Sequence, residues 1–192
     1  CSNRAHRSPT VTAMLRPRLL LVLAIALTLP AMAADGSTRT AQAGVAAYEA
    51  GRYDEAARLF ERAARAGNRL AQFNYAMMLY RGESHAPDAD TAWRWLRRAA
   101  GAGLAPAQYA FAWLYDHGEG VPRSLPTAAL WYRKAATQGH LPAQLALASM
   151  YFTGQGVAQD YAQAAQWYRP AAEAGDIGAQ YIVASMYEHG YG

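Results

Sequence analysis

The sequence predicts an all-α fold, an α-solenoid of antiparallel helix pairs, and its internal repeats are the reason. Three residue patterns recur along the chain with the same spacing of 36 residues. A period of roughly 20 to 50 residues is typical of solenoids, in which small similar units stack on one another. The patterns are a glycine series (Gly67, Gly103, Gly139, Gly175), an Ala-Gln series (Ala71-Gln72, Ala107-Gln108, Ala143-Gln144, Ala179-Gln180) and a tryptophan series (Trp95, Trp131, Trp167).

Each copy is predicted to contain two helices. Apolar residues between Pro106 and His117, and again between Leu125 and Gln138, are three or four positions apart, which is helical and not strand spacing. Gly118 and Gly139 follow these patterns, where a left-handed helix cap favours glycine. The second helix of each copy starts after a residue whose side-chain oxygen can cap it: Asp88, Ser124 and Asp160.

The order of these residues resembles the Sel1-like repeat, a relative of the tetratricopeptide repeat. The clearest copies read AQYAFAWLYDHGEGVPRSLPTAALWYRKAA and AQLALASMYFTGQGVAQDYAQAAQWYRPAA. The resemblance runs from about Gly67 to the end and implies a right-handed superhelix whose first helices line a concave side. The copy from Gly67 departs in its loop, GESHAPD, which lacks the second glycine and the valine, so we expect a changed surface there and an unchanged stack.

The repeat spacing also sets the expected boundaries within the chain. Residues 41–66 resemble an ordinary tetratricopeptide unit more than a Sel1-like one, and we expect this unit to start the stack. The boundaries are 1–33 for upstream residues and an export signal, 34–40 for a polar linker, 41–66 for the tetratricopeptide-like unit, 67–102, 103–138 and 139–174 for Sel1-like repeats, and 175–192 for the first helix of a truncated repeat.

The N-terminal residues are typical of a secretory signal peptide. Met14 is followed by Arg16 and Arg18, an apolar run from Leu19 to Leu29, and the small-x-small sequence Ala31-Met32-Ala33. The alternative is a membrane anchor, but the run has 11 residues, whereas a spanning helix needs about 20. We therefore expect a start at Met14, cleavage after Ala33, a location in the periplasm or outside the cell, and no stable transmembrane span in the cleaved protein.

Two irregularities stand near the other end. After Gly190 the pattern calls for a loop and a second helix, so we interpret the sequence as a fragment of a longer array. Pro170 occupies the position of Arg98 and Lys134, inside a predicted helix, where proline removes a backbone hydrogen bond and is expected to kink the helix.

The charge balance argues against a nucleic-acid partner. Four of the 18 Lys and Arg residues precede Ala34, whereas all 14 acidic residues follow it, which leaves 14 basic against 14 acidic residues. Nucleic-acid-binding proteins need a basic footprint. The cluster of Arg94, Arg97 and Arg98 is more simply interpreted as the solvated face of a helix.

The residues give no support for catalysis, a cofactor or a metal. Cys1 is the only cysteine, so no intramolecular disulfide can form. His117 and His189 are two repeats apart, roughly 20 Å or more for helices packed 8 to 10 Å from one another, so they cannot share one ion. Asp116, His117, Glu119 and Ser124 are close in sequence, but no oxyanion-hole or nucleophile motif accompanies them.

The function expected is an exported, non-catalytic scaffold that binds a protein or peptide partner in the concave groove. Two alternatives stay open: a cell-envelope module that binds peptidoglycan or another glycan through its aromatic face, and the repeat part of a longer enzyme. Trp113 is the best candidate anchor, because Met77, Ser149 and Ser185 occupy the same position in other copies; packing of Trp113 against the next repeat is the competing interpretation. The groove residues that the resemblance implies are Phe73, Met77, Tyr80, Arg81, Tyr109, Trp113, Asp116, His117, Leu145, Ser149, Phe152, Tyr181 and Ser185.

Overall fold

A computed structural model describes residues 35–83 and 88–191. These residues form helices joined by short loops, and they contain no strand. The helices are α1 (Gly36–Glu49), α2 (Tyr53–Arg65), α3 (Arg69–Arg81), α4 (Ala89–Gly101), α5 (Ala105–His117), α6 (Leu125–Ala136), α7 (Leu141–Thr153), α8 (Tyr161–Glu173) and α9 (Ile177–Glu188). The prediction of an all-α array of paired helices is confirmed.

The chain divides into two compact units, and the division falls between Trp93 and Arg94, within α4. In the first unit, α1 packs on α2 and α2 on α3. Gly44 allows the first of these contacts, because a Cβ atom there would lie 2.8 Å from the ring of Phe60. In the second unit, α5 to α9 pack in sequence, each helix against the next.

Side-chain caps explain where the helices begin. The backbone amide of Thr127 donates to Ser124 at the start of α6, and that of Gln163 donates to Asp160 at the start of α8. The predicted caps at these positions are confirmed. The first helices of other copies are capped in the same way by Asn68, His140 and Asp176, and Gly82, Gly118 and Gly154 end first helices in the left-handed conformation.

The repeated Ala-Gln pair joins successive helix pairs. Each glutamine amide donates to the carbonyl oxygen of the alanine eight residues earlier, near the end of the preceding second helix. The bonds are Gln72 to Ala64 (3.2 Å), Gln108 to Ala100 (3.2 Å), Gln144 to Ala136 (3.1 Å) and Gln180 to Ala172 (2.9 Å). Each of these alanine carbonyls also accepts from the backbone amide of the glycine three residues later, so the glutamine provides a second bond, and this second bond links two repeats.

Alanines and a few large side chains form the core of the second unit. Ala112, Ala128 and Ala135 are fully buried and let the helices approach closely, while Tyr132 and Leu147 fill the space between them. Trp131 is half-buried at the edge of this cluster, with its ring edge-on to Phe111 at 5.1 Å between centroids. The tryptophan therefore packs between helices, as its repeat position predicts, without being enclosed.

Four local expectations remain to be compared with the structure, and two of them lie outside the described residues. Residues 34–40 are predicted to be a polar linker, but α1 begins at Gly36, because Asp35 accepts a hydrogen bond from the amide of Thr38 (2.7 Å) and caps the helix. Pro170, where a kink is predicted, lies inside α8, which runs from Tyr161 to Glu173. The export signal and most of the divergent loop after Gly82 lie outside the described residues.

No helix in the described ranges has both the length and the apolar character needed to cross a membrane.

Candidate functional site

The predicted groove residues of the first unit are mostly unavailable to a partner. Phe73 and Met77 are 0% and 5% exposed, so they are core residues, and we leave them out of the contact surface. Arg81 is exposed, but it already forms contacts within the unit: its guanidinium lies 3.6 Å from the carboxylate of Glu83 and 3.5 Å from the hydroxyl of Tyr48. Tyr80 is half-buried.

A concavity of the first unit, about 780 Å³, is lined by none of these predicted residues. Charged side chains at the loop ends, Arg52, Asp54, Glu55, Arg58 and Glu83, line most of it.

In the second unit, Tyr109 and Asp116 belong to a polar cluster inside the repeat. The ring of Tyr109 lies 5.6 Å from that of Tyr132 and 4.9 Å from that of His140. The hydroxyl of Tyr132 donates to the carboxylate of Asp116 at 3.2 Å. Burial and the negative charge of Asp116 both raise the pKa of Tyr132 well above its usual value. Tyr109 and Asp116 therefore hold α5 against α6 and the start of α7.

Trp113 has a surface position on α5. It is half-buried and stacks on His117, with 4.1 Å between ring centroids and 20° between the planes. The ring nitrogen Nδ1 of His117 is 3.0 Å from the carbonyl oxygen of Trp113, so the pair is fixed within one turn of the helix.

Three predicted residues of the second unit lie around one cleft, which we call the α7–α9 cleft. Its volume is about 270 Å³, and it is lined by Phe152, Tyr181, Ile182, Ser185, Met186, His189 and Tyr191. Phe152 and Tyr181 are 38% and 76% exposed. Leu145 is instead half-buried against the cluster formed by α8 and α9, and Ser149 is exposed without lining the cleft.

Aromatic contacts hold one wall of the α7–α9 cleft in place. Phe152 packs edge-on against Tyr161 at 5.5 Å, and Tyr161 lies 4.6 Å from Tyr191. Tyr191 is in turn parallel to His189, at 6.1 Å between centroids. These rings form a chain from the end of α7 to the residues that follow α9.

His189 gives the cleft a defined polar group. Its Nδ1 lies 2.7 Å from the carbonyl oxygen of Ser185, which can only accept a hydrogen bond. In the neutral ring Nδ1 is therefore the donor, and Nε2 is an acceptor. A bound N–H or O–H group could donate to Nε2.

Sequence reasoning missed four of the lining residues: Ile182, Met186, His189 and Tyr191. The signal for His189 was present, because it repeats the position of His117, but it was considered only as a metal ligand. Tyr191 follows the helix cap, where the other copies have Glu83, Glu119 and Gln155, so no repeated pattern marks it. Within the described residues, no group of three or more His, Cys, Asp or Glu side chains could hold a metal ion.

Comparisons with solved structures give the same architecture. A Sel1 repeat protein from Oxalobacter formigenes is 32% identical, with a TM-score of 0.74; the match covers 79% of this chain and 63% of that one. The protein c5321, a protective antigen present in uropathogenic Escherichia coli strains that displays an SLR fold, is 31% identical, with a TM-score of 0.73. That match covers 81% of this chain and 34% of c5321. This chain therefore spans less than two thirds of either relative.

A more distant likeness concerns the fold alone. Cysteine rich protein B of Helicobacter pylori is 20% identical, with a TM-score of 0.51, over 73% of this chain and 95% of that one. No curated protein matches the sequence.

The family model of the Sel1 repeat matches five consecutive segments: 40–68, 69–104, 105–140, 141–176 and 177–192. The four segments from residue 69 onward start 36 residues apart, at the first residues of α3, α5, α7 and α9. Together they run without a gap from residue 40, and the chain belongs to the Sel1 repeat family.

Proposed function

We propose that this protein is an exported, non-catalytic scaffold that binds a protein or peptide partner through the α7–α9 cleft. Sel1 repeat proteins are typically protein–protein interaction scaffolds and generally non-catalytic. The observation that carries the proposal for this chain is the cleft itself, where exposed aromatic side chains surround a small apolar hollow.

The size and chemistry of the cleft suit a side chain of a partner better than a cofactor. Sites for small ligands usually measure about 300 to 1,000 Å³, and this cleft, at about 270 Å³, is smaller. Protein-recognition sites typically combine aromatic anchors with a few polar groups. Here Phe152 and Tyr181 provide the aromatic surface, and His189 provides a hydrogen-bond acceptor.

The fixed aromatic wall should favour affinity. A side chain that is already held in its bound position loses little rotational freedom when a partner arrives. Phe152 is supported by Tyr161, and Tyr191 by both Tyr161 and His189. Trp113, stacked on His117 one repeat before α7, provides a second aromatic surface for a longer partner.

Peptide selection tests the proposal. The full chain is immobilised and used to enrich peptides from a random displayed library, and the affinities of the enriched peptides are then measured for variants. Phe152→Ala and Tyr181→Ala should each weaken binding by about 2 kcal/mol, roughly thirtyfold, as expected for an aromatic anchor. Leu130→Ala and Tyr53→Ala remove exposed apolar side chains that do not line the cleft and should leave the affinity unchanged.

The glycan alternative is tested with the same variants. Purified peptidoglycan sacculi are incubated with the wild-type chain and with Phe152→Ala. If the sacculi bind the wild type but not the variant, and no peptide is enriched, the protein partner is contradicted in favour of a cell-wall ligand.

Export is tested separately. Expressed from Met14 in a Gram-negative host, the protein should be recovered from the periplasm with Ala34 at its N-terminus by mass spectrometry. Recovery of the uncleaved chain from the cytosol would contradict export and leave the binding proposal intact.

A further inference from the structure

The second unit separates its charges by helix type. Its second helices are α6, α8 and residues 94–101 of α4. They carry six cationic residues and one acid, Glu173, whereas the remainder of this unit carries one cation, Arg123, and five acids. The six cations, which we call the basic face, are Arg94, Arg97, Arg98, Arg133, Lys134 and Arg169. The five acids are Asp116, Glu119, Asp160, Asp176 and Glu188.

Tyrosines hold two of these arginines in equivalent places. Arg133 donates to the hydroxyl of Tyr151, and Arg169 donates to the hydroxyl of Tyr187 at 2.9 Å. Both pairs join a second helix to the following first helix, and they are one repeat apart. A bond to a neutral hydroxyl fixes the guanidinium without neutralising its charge.

Aromatic rings support two more of the cations. The guanidinium of Arg98 lies 5.1 Å from the ring centre of Trp95, and the ammonium of Lys134 lies 3.9 Å from that of Trp131. Leu130 is exposed on the same side of α6, three residues before Arg133. The basic face thus combines cations with tryptophan rings and an exposed apolar side chain.

Helix dipoles explain only part of this arrangement. Cations near a helix C-terminus offset its partial negative charge, but that effect does not require the absence of acids. The first unit offers the comparison, because Arg65 on α2 is paired with Glu61 at 2.6 Å. Within the described residues, Arg133, Lys134 and Arg169 have no carboxylate within ion-pair distance.

We propose that the basic face binds the surface of a lipid bilayer that contains anionic phospholipids. Basic residues near such a surface are attracted to its headgroups, and an exposed apolar side chain such as that of Leu130 inserts at the boundary with the acyl chains. Because the cations lie on the second helices and five of the six acids lie elsewhere, the unit would bind in one orientation. The basic face would contact the membrane, and the acids on the loops and first helices would not. A nucleic-acid partner is less suited, because the unit as a whole has seven cations against six acids and lacks an overall basic surplus.

Vesicle binding by the full chain tests this proposal. The wild type should bind vesicles of phosphatidylcholine with phosphatidylglycerol more tightly than vesicles of phosphatidylcholine alone, and the neutral vesicles measure any contribution of the apolar run 19–29. Replacing Arg97, Arg133 and Arg169 by Gln should weaken the binding that depends on phosphatidylglycerol by about tenfold or more. Raising NaCl from about 50 mM to about 500 mM should remove it.

Two further variants make the result specific. The control replaces three exposed arginines outside the second helices, Arg39, Arg52 and Arg69, by Gln and should bind like the wild type. If the first variant fails to fold by circular dichroism, Arg94, Arg98 and Lys134 are replaced by Gln in its place, with the same expected loss. The proposal is overturned if the wild type does not prefer anionic vesicles, if the control loses as much binding as the variant, or if duplex DNA at equal phosphate concentration displaces the protein from the vesicles.

Discussion

Asn74 is a buried amide whose side chain has no hydrogen-bond partner among the described residues. It is 2% exposed on α3, and neither its Oδ1 nor its Nδ2 atom is bonded within the described residues. Ala110, Ala146 and Ile182 occupy the same position in the later copies. Burying a polar group without a partner costs about 1 to 3 kcal/mol, so Asn74 marks a point where this repeat is not optimised for stability.

Replacing Asn74 by the alanine of the later copies should therefore stabilise the protein. We expect Asn74→Ala to raise the free energy of unfolding by about 1 kcal/mol, because the lost desolvation cost and the better helix propensity outweigh the small cavity. The melting temperature should rise by about 2 to 4 °C. Gln108 is the matched control: it is also buried, but both its amide atoms are bonded, Nε2 to Ala100 and Oε1 to Gln138, so Gln108→Ala should lower the melting temperature instead. A destabilised Asn74→Ala variant would mean that the amide has a role in the fold.

His140 couples the start of α7 to pH. Its Nδ1 accepts a hydrogen bond from the amide of Ala143 at 3.3 Å, and its ring lies against Tyr109. Burial lowers the pKa of His140 below its usual value of 6.5. The neutral ring is thus the form that the fold favours, and only this form can accept the bond from Ala143.

The sign of the pH effect follows from this lowered pKa. Between the folded pKa and 6.5 the unfolded chain binds more protons than the folded one, so stability is full above about pH 6.5 and declines as the pH falls through that value. Asn68 and Asp176 cap the corresponding helices, so His140→Asn should keep the cap and reduce the loss of melting temperature between about pH 7.5 and pH 5. His140→Ala is the control: it removes the cap together with the ring, so it should lower the melting temperature at both pH values. An unchanged pH profile for His140→Asn would contradict this role.

Trp113 and Trp131 provide a comparison between a surface and an interhelical tryptophan. Trp131 contacts Phe111 and the core cluster of the second unit, whereas Trp113 stacks on His117 of its own helix. Complete loss of a buried tryptophan side chain costs about 3 to 5 kcal/mol, so for the half-buried Trp131 we expect Trp131→Ala to cost about 2 to 3 kcal/mol. Trp113→Ala should cost less than about 1 kcal/mol. Denaturant unfolding measures both, and equal costs would mean that Trp113 is a core residue and not an anchor.

At the scale of the helices, the loop between α7 and α8 contacts the preceding repeat. Gly156 has a φ of 74°, and a Cβ atom there would lie 2.6 Å from the carbonyl carbon and oxygen of Leu125, the first residue of α6. Gly120 has the same conformation in the previous copy, with a φ of 70°, but no described residue lies within 4 Å of its Cβ position. Glycine is therefore favoured at this repeat position for two reasons. Both copies have a left-handed backbone conformation, and in the later copy the backbone of Leu125 also lies too close to Gly156 for a side chain.

Substitution of the two glycines separates the energetic cost of the backbone conformation from the cost of the close contact. Gly120→Ala should cost about 1 to 2 kcal/mol, the price of a left-handed conformation for an L-residue. Gly156→Ala should cost at least about 2 kcal/mol more, because a backbone neighbour cannot rotate away as a side chain can. Chemical denaturation of the two variants checks the difference, and similar costs would show that the loop can move away from Leu125 without loss.

The positions of the helices were largely predictable from the sequence, whereas the exposure of their side chains was not. The 36-residue period located α5 and α6 to within two residues, because helix caps, glycines and alanines are local signals. Residues 35–40 were misassigned because a capped, polar first turn resembles a linker in composition. The role of the Ala-Gln pair could not be seen either, since its partner carbonyl belongs to the preceding helix.

At the scale of the whole molecule, the candidate site was only partly predictable, because equivalent repeat positions have different surroundings. Phe73 and Tyr181 occupy the same position, yet Phe73 is fully buried and Tyr181 is 76% exposed. Tyr109, at this position on α5, is covered by Tyr132 and His140. A repeat pattern locates the side chain on a helix, but the neighbouring helices decide whether a partner can reach it.

NMR of methionine methyl groups measures whether a partner binds in the α7–α9 cleft. Met186 lines the cleft, Met150 has the same position one repeat earlier without lining it, and Met77 and Met78 are buried in the first unit. A selected peptide is titrated into the full chain carrying ¹³C-labelled methionine methyl groups. The Met186 signal should shift in proportion to the peptide bound, while the signals of Met150, Met77 and Met78 stay in place. A saturable shift of Met77 or Met78 with an unmoved Met186 signal would contradict binding in this cleft.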